Sequence, residues 1–270
     1  MKSIKINEAL WQNYERFGRA RGRLVTYILS HWMPLAGSAI LDFGCGTGGI
    51  SVELSSAYAS VTAFDLDERK LEILQKKISK KEHQIKIVNT LPDSLQKFDA
   101  IILLDVIEHL LDPVNTLNDL YKRLNPDGII YLSTPNKFSL VNAIMDPHFS
   151  LPLVSLLPRR SVKKIVAFVL KWQPKNRQDF PELFSLKKFD ILMRQTGFTW
   201  HFVNSFVVRY ALQHPEGVWN RDLHLHIIRA MQKIGALSLV GKLTSDRINF
   251  YNCWLNPTWY IIAKKARFCN

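Results

Sequence analysis

Short unbroken apolar runs alternate along this chain with segments whose apolar positions recur every three or four residues. The runs Ala39–Leu41, Val61–Phe64, Ile85–Val88, Phe98–Leu104, Ile129–Ser133, Phe198–Val203 and Thr258–Ala263 have the length and character of strands, and the early ones suit strands buried on both faces of a parallel sheet. Between them lie helical patterns: Ile50, Val52 and Leu54; Leu71, Leu74 and Ile78 behind the capping Asp67; a helix opened by Asp112-Pro113; Leu186–Thr196; and a stretch around Leu223–Ile234. Asn7–Met33 carries Leu10, Trp11, Tyr14, Phe17, Leu24, Tyr27 and Ile28 at helical spacing, with Gly18 and Gly22 placed to divide it into two helices. Leu124–Gly128 reads as the turn into the fifth strand. This alternation predicts an α/β fold with a doubly wound, mostly parallel sheet, right-handed crossovers and ligands held outside the carboxyl ends of the strands. The expected organisation is a helical segment over 1–36 and one α/β domain over 37–270. Helical insertions interrupt that domain at about 137–183 and 206–256, because connections of that length are too long for ordinary loops.

Composition narrows the class. The 270 residues suffice for one sizeable domain, and 47% hydrophobic with 22% charged residues is the balance of a globular protein. No apolar run reaches the ~18 residues of a bilayer span, and Met1–Glu8 lacks the apolar core of a signal peptide, so a cytoplasmic location is expected. Cys45, Cys253 and Cys269 are odd in number and widely spaced, which predicts reduced thiols rather than a disulfide framework or a Cys-x-x-Cys metal site. The net charge of +13 suits nucleic acid, an anionic membrane surface or an acidic substrate. The basic residues are scattered rather than gathered with aromatics on one face, which ranks membrane above nucleic acid. Nothing in the pattern speaks to oligomeric state.

The densest chemistry lies from Ala39 to Gly49, Ala-Ile-Leu-Asp-Phe-Gly-Cys-Gly-Thr-Gly-Gly. A buried strand runs into a loop without side chains at Gly44 and Gly46, where backbone can come within van der Waals distance of a ligand. Gly44, Gly46 and Gly49 also fit the dinucleotide pattern, with Asp65 about twenty residues on. Asp42, however, sets a carboxylate beside the loop, where it repels a pyrophosphate and attracts a cation. Leu41-Asp42-Phe43-Gly44-Cys45-Gly46-Thr47-Gly48 resembles the motif of class I S-adenosylmethionine-dependent methyltransferases. The blocks Asp105-Val106-Ile107-Glu108-His109-Leu110 and Leu124-Asn125-Pro126-Asp127-Gly128 through Ser133-Thr134-Pro135-Asn136 are similar to the branch that includes the ubiquinone-biosynthesis O-methyltransferases. Asp127 departs from the second glycine usual there. The resemblance covers Ala39 to about Asn136 and implies a Rossmann-like sheet of seven strands, completed by an inserted antiparallel strand at Thr258–Ala263. It also implies S-adenosyl-L-methionine as cofactor, held by Asp42, Gly44, Cys45, Gly46, Asp65, Leu66, Asn89 and Leu104. Asp65 would accept hydrogen bonds from the ribose hydroxyls, while Leu66 and Asn89 would lie near adenine.

Methyl transfer from a sulfonium is an in-line displacement in which positioning alone supplies about 7–11 kcal/mol. An enol or phenol acceptor also needs a base, for which His109, just past the fourth strand, is the candidate. A purely structural His109, packed at a helix start beside Glu108, is the competing assignment. No metal is required by this chemistry. As an alternative, Asp105, Glu108, His109 and the later His148 have the donor types for a divalent ion, and similar acidic-x-x-Glu-His segments bind metal in the small-RNA 2′-O-methyltransferases. His224 and His226 sit in an ordinary packed helix. The first insertion carries Val162, Ile165, Val166, Phe168, Val169 and Trp172 along one helical side, flanked by Arg159, Arg160, Lys163, Lys164 and Lys171. It reads either as a lid over the site or as an interfacial helix resting on anionic lipid. The expected function is methyl transfer to a small or lipid-like acceptor, at oxygen. The alternatives are a non-catalytic binding protein on the same fold and a nicotinamide oxidoreductase.

Overall fold

Ile40, Leu41, Ala63 and Ile101–Leu103 are fully buried, as apolar strands covered on both faces must be. The computed structural model describes residues 8–78, 84–91, 96–149, 151–169, 180–218, 222–235 and 244–266. Its strands are β1 (Ala39–Phe43), β2 (Ser60–Phe64), β3 (Ile85–Val88), β4 (Phe98–Leu104), β5 (Leu124–Pro135), β6 (Phe198–Phe202) and β7 (Thr258–Lys265). They form one seven-stranded sheet in the order β3-β2-β1-β4-β5-β7-β6. β1 pairs parallel with β2, and β2 with β3. β7 runs antiparallel between β5 and β6, with Ile129 opposite Lys264 and Phe202 opposite Ile261. The doubly wound, mostly parallel Rossmann-like sheet and its inserted last strand are therefore as expected. The strand order reverses beside β1, so the carboxyl end of β1 is where such a sheet holds ligands.

The α-helices among the described residues are α1 (Glu8–Ser30), α2 (Gly49–Ser56), α3 (Glu68–Ile78), α4 (Pro113–Arg123), α5 (Leu140–Ile144), α6 (Arg159–Val169), α7 (Leu186–Gln195), α8 (Asn204–Ala211) and α9 (Asp222–Lys233). The chain divides into two compact units, Met1–Ile101 with Ser205–Thr244, and Ile102–Asn204 with Ser245–Asn270. The second insertion, expected over about 206–256, falls partly in each unit. Expected features at Leu10, Trp11, Tyr14, Val166, Val169, Lys171, Trp172, Leu223, His224, Ile227, 236–240 and Cys269 lie outside the described residues and side chains.

In the first unit α1 is a single helix of 23 residues, not two. Gly18 and Gly22 do not break it because both lie on its packed face: a Cβ on Gly18 would meet the Gly49 Cα at 3.6 Å, ordinary contact, whereas at Gly22 there is no room for one. A Cβ on Gly49 would lie 2.5 Å from the Gly18 carbonyl carbon, and one on Gly22 would lie 2.8 Å from the Gly49 oxygen. The crossing of α1 over α2 is backbone against backbone. Further along α1, Tyr27 packs on Tyr210 with ring centroids 5.0 Å apart, and just past its end His31 packs on Phe206 at 5.3 Å, so α8 clasps the end of the same helix.

In the second unit, α4 starts at Asp112, whose Oδ1 accepts from the Asn115 amide at 3.0 Å, with Pro113 in the first turn. β5 is extended from Leu124 rather than from Ile129, although its pairing with β7 begins only at Ile129. Helix α6 turns Val162 inward, onto Phe149, Val154 and Phe180, with Ile165 packed beside them. Its cationic Arg160, Lys163 and Lys164 remain exposed. Tyr251–Leu255 forms one turn of π-helix, held where Asn136 Nδ2 donates to the carbonyls of Cys253 and Asn256, each at 3.0 Å. Among the described residues no helix is long and apolar enough to cross a membrane.

Candidate active site

The glycine loop after β1 adopts the backbone its sequence demands. Gly44, Gly46 and Gly48 have φ of 83°, 57° and 75°, left-handed values that L side chains rarely take. The Gly44 and Cys45 amides both donate to the Phe64 carbonyl, at 2.7 and 2.9 Å, tying the loop to the tip of β2. Asp65 stands at that tip. Its Oδ2 accepts from the Gly46 amide at 2.9 Å, its Oδ1 accepts from the Asp67 amide at 2.9 Å, and Lys70 Nζ lies 3.6 Å from Oδ2. Each carboxylate oxygen has two lone pairs, so acceptor capacity remains for a pair of hydroxyls. Beside it the Leu66 side chain is 81% exposed at the end of β2, an apolar surface with nothing of its own packed over it.

Asp42 lies underneath. It is buried, and its Oδ2 accepts from Ser51 Oγ at 2.6 Å. Burial pushes its carboxyl up from the ordinary value to about 6, against the opposing Ser51 hydrogen bond, with the neighbouring Asp65 charge adding to the rise and Arg21 offsetting it. Cys45 points away from the loop into a cluster with Val52, Ala63, Leu71 and Leu74, and burial pushes its thiol far up. Only its backbone is therefore presented on the loop. Asn89 donates to Glu68 Oε1 at 3.0 Å and lines an open depression of about 490 Å³ with Glu68, Leu71 and Ile87. Asn89 directly follows Val88, the partner of Phe64 in the β2–β3 register, and so stands one position past the β2 tip. Leu104 is half-buried at the end of β4 and belongs to the second unit.

Sequence spacing missed a clamp on this loop. Lys77 Nζ, from the last turn of α3, donates to the Thr47 carbonyl at 2.8 Å and pairs with Glu15 of α1 at 2.7 Å. The contact joins residues far apart in the chain, and no local pattern announces it.

The second unit carries the polar cluster that follows β4. Asp105 is left-handed, with φ 55°, and its Oδ1 accepts from Ser133 Oγ at 2.7 Å. The short 3₁₀ turn Ile107–His109 comes next. Glu108 is fully buried, and its Oε2 accepts from Thr134 Oγ1 at 3.1 Å. The His109 and His148 rings meet edge to face at 5.1 Å, and His148 Nε2 lies 4.0 Å from Glu108 Oε1. One donor atom from each of Glu108, His109 and His148 falls within 4.8 Å of the others, whereas Asp105 is not part of this set. Arg159, assigned by sequence only to a basic flank, reaches back: its Nη2 donates to the carbonyls of Glu108 and Leu110 at 2.9 and 3.0 Å and fixes the turn.

The family model described as methyltransferase domain matches residues 13–201, and the chain belongs to that family. Among curated relatives, it is 31% identical to the ubiquinone biosynthesis O-methyltransferase of Haemophilus ducreyi, over 41% of this chain and 51% of that one. It is 24% identical to the enzyme of the same name from Rickettsia bellii, over 73% of this chain and 79% of that one. The chain spans about half the length of the first of these relatives. Solved structures share the fold at low identity. The plantazolicin methyltransferase BpumL in complex with SAH matches with a TM-score of 0.51 and 16% identity, covering 94% of this chain and 85% of that one. Phosphoethanolamine N-methyltransferase 2 of Haemonchus contortus, in complex with S-adenosyl-L-methionine, matches with a TM-score of 0.51 and 17% identity, covering 91% and 52%.

Proposed function

We propose that the protein is an S-adenosyl-L-methionine-dependent methyltransferase that moves a methyl group to an oxygen of a small or lipid-like acceptor by in-line displacement. The observation that carries this reading is Asp65 at the β2 tip. Its carboxylate is drawn against the Gly46 amide of a left-handed glycine loop, with exposed Leu66 beside it. A ribose diol fits the remaining lone pairs of Asp65, a flat base fits Leu66, and buried Asp42 places negative potential under the loop where a sulfonium and an ammonium would lie. The same negative potential opposes a dinucleotide pyrophosphate. Membership of the methyltransferase-domain family supports the reaction, and relatives named as ubiquinone biosynthesis O-methyltransferases support oxygen and an amphiphilic acceptor. The reading places the protein in the cytoplasm.

Within the Glu108–His109–His148 cluster, His109 is the base for an acidic hydroxyl, positioned by the turn that Arg159 holds. The same three side chains support a second reading, because an oxygen and two nitrogen donors this close need little movement to share one divalent ion at bond lengths of about 2.1 Å. Chelated protein assayed with and without added Mg²⁺ or Zn²⁺ separates the two.

Calorimetric titration with S-adenosyl-L-methionine, its demethylated product and NAD tests the cofactor. Asp65→Ala is expected to weaken binding of the first two by roughly tenfold, the loss for one charge-assisted contact. Unchanged affinity would remove Asp65 from the site, and binding of NAD alone would overturn the reading. Labelled methyl donor, incubated with fractionated extract and separated into lipid and aqueous products, identifies the acceptor. Cofactor binding with no transfer to any fraction would favour a non-catalytic binding protein.

A further inference from the structure

Helix α5 is built inside out. It buries Asn142, whose Nδ2 donates to the carbonyls of Asn136 and Pro257 at 3.0 and 2.7 Å, and turns Leu140, Val141 and Ile144 to the outside. Ile144 is 73% exposed. Next to it Leu153 holds a left-handed backbone with φ 63°, its amide donating to the Ala143 carbonyl at 2.7 Å, and its side chain is 62% exposed. A leucine in that conformation is strained by about 1–2 kcal/mol, and here the strain gains no burial. Trp254 of the π-helical turn, half exposed, lies 5.9 Å from the exposed Phe138 ring and extends the same surface. Scattered single apolar residues on a surface need no explanation, but an inverted helix, a strained leucine and an aromatic pair in contact do.

The flank of this surface is cationic. The 3₁₀ turn Val154–Leu156 behind Leu153 shares its buried cluster with Val162 of α6, so α6 is anchored to the same knuckle with Arg160, Lys163 and Lys164 facing out. From Lys137 to Gln178 the sequence holds a single carboxylate, Asp146, and that side chain is buried, accepting from the amides of His148 and Phe149. An apolar knuckle with a lysine and arginine flank, in a stretch with no exposed acid among its described residues, complements a surface that is oily within and negative at its rim. A second copy of this chain, itself +13, would set like charges against that flank.

We infer that the face formed by α5, Leu153 and Trp254, flanked by α6, docks on an anionic lipid bilayer, the apolar side chains entering the interface and the α6 cations meeting lipid headgroups. The first insertion thereby contacts lipid through α5, while on α6 Val162 and Ile165 are spent on the protein's own core and Phe168 stays exposed. Docking accords with the amphiphilic acceptor proposed above and rests on that reading only for its purpose. Vesicle binding and methyl transfer are separate measurements, and either can fail alone.

The test is co-sedimentation of the full chain with mixed phosphatidylcholine–phosphatidylglycerol vesicles and with pure phosphatidylcholine vesicles, across a salt series. Thermal melting confirms that each variant is folded. Binding is expected only with phosphatidylglycerol present and should weaken as salt rises. The pair Lys163→Glu and Lys164→Glu should weaken it by about 30-fold or more, each basic residue near such a surface counting for close to a factor of five. Ile144→Glu, on the exposed side of α5, should weaken it by roughly tenfold. Equal binding to neutral vesicles, no binding to either kind, or folded variants that bind as tightly as the wild type would each overturn the inference. So would a concentration-dependent dimer that Ile144→Glu dissolves.

Discussion

Asp42 shows how one residue can trade stability for a binding field. Its carboxyl is raised by burial to about 6, so the folded protein favours the protonated form, whereas the unfolded chain ionises near 3.8. The preference is fully present below the unfolded value and is lost as pH rises through about 6, the reverse of a salt-bridged aspartate. Two pKa units and a little more correspond to on the order of 3 kcal/mol given up at neutral pH. Asp42→Asn keeps the shape and removes the charge. Thermal melts of the two proteins are expected to agree near and below pH 4, to draw apart as pH rises from there to about 6 and to keep that gap above it, the asparagine variant melting higher; parallel curves from pH 4 to 6 would show that Asp42 does not titrate there. A cationic ligand over the loop should pull Asp42 back to its ionised form. Affinity for S-adenosyl-L-methionine should therefore fall as pH drops through about 6 in the wild type and stay flat in Asp42→Asn, measured by calorimetry in buffers of different ionisation heat.

At the scale of elements, the crossing of α1 over α2 depends on having no side chains at the contact. Gly49→Ala puts a Cβ 2.5 Å from the Gly18 backbone, which cannot rotate out of the way, so the helices must separate. The expected loss is about 1–3 kcal/mol in urea unfolding, the usual penalty for overpacking. Cofactor affinity should also fall, since α1 carries the Glu15 that holds Lys77 on the Thr47 carbonyl. Gly22→Ala should behave alike. A loss well below about 1 kcal/mol in both variants would show the crossing to be slack. This contact also marks how far the sequence could be read. The strands were legible because a short apolar run such as Ile85–Val88 carries its own signal, and so were the caps at Asp67 and Asp112, where side chain and amide are two or three residues apart. The glycine loop and Asp65 were legible because backbone angles and a strand tip are local facts. Gly18 and Gly22 were misread as breaks because a glycine that admits another helix looks, in sequence, like one that ends its own. The same holds for α6, whose amphipathic pattern showed an apolar side but not that Phe149, Val154 and Phe180 would cover Val162 while Phe168 stays exposed. Neither the Lys77–Thr47 contact nor the reach of Arg159 to the Glu108 turn has any local signature.

On the scale of the whole molecule, the division into two units makes the response to ligand testable. Asp42, the glycine loop, Asp65 and Leu66 all belong to Met1–Ile101, whereas Glu108, His109 and His148 belong to the unit containing Ile102–Asn204. A ligand at a hundred times its dissociation constant stabilises the form it binds by about 2.7 kcal/mol, which for a chain of this size shifts melting by roughly 5–10 °C. Because the chain has two compact units, that shift need not be shared evenly, and amide hydrogen exchange resolves where it falls. With S-adenosyl-L-methionine bound, the amides of Gly46 and Asp67, which already donate to Asp65, should slow further, along with the loop amides between them and α2. NAD at the same concentration should change neither the melting temperature nor the exchange pattern. Protection confined to the second unit, with Gly44 to Gly48 exchanging as in the free protein, would mean that the ligand sits elsewhere and that the left-handed loop is only a turn.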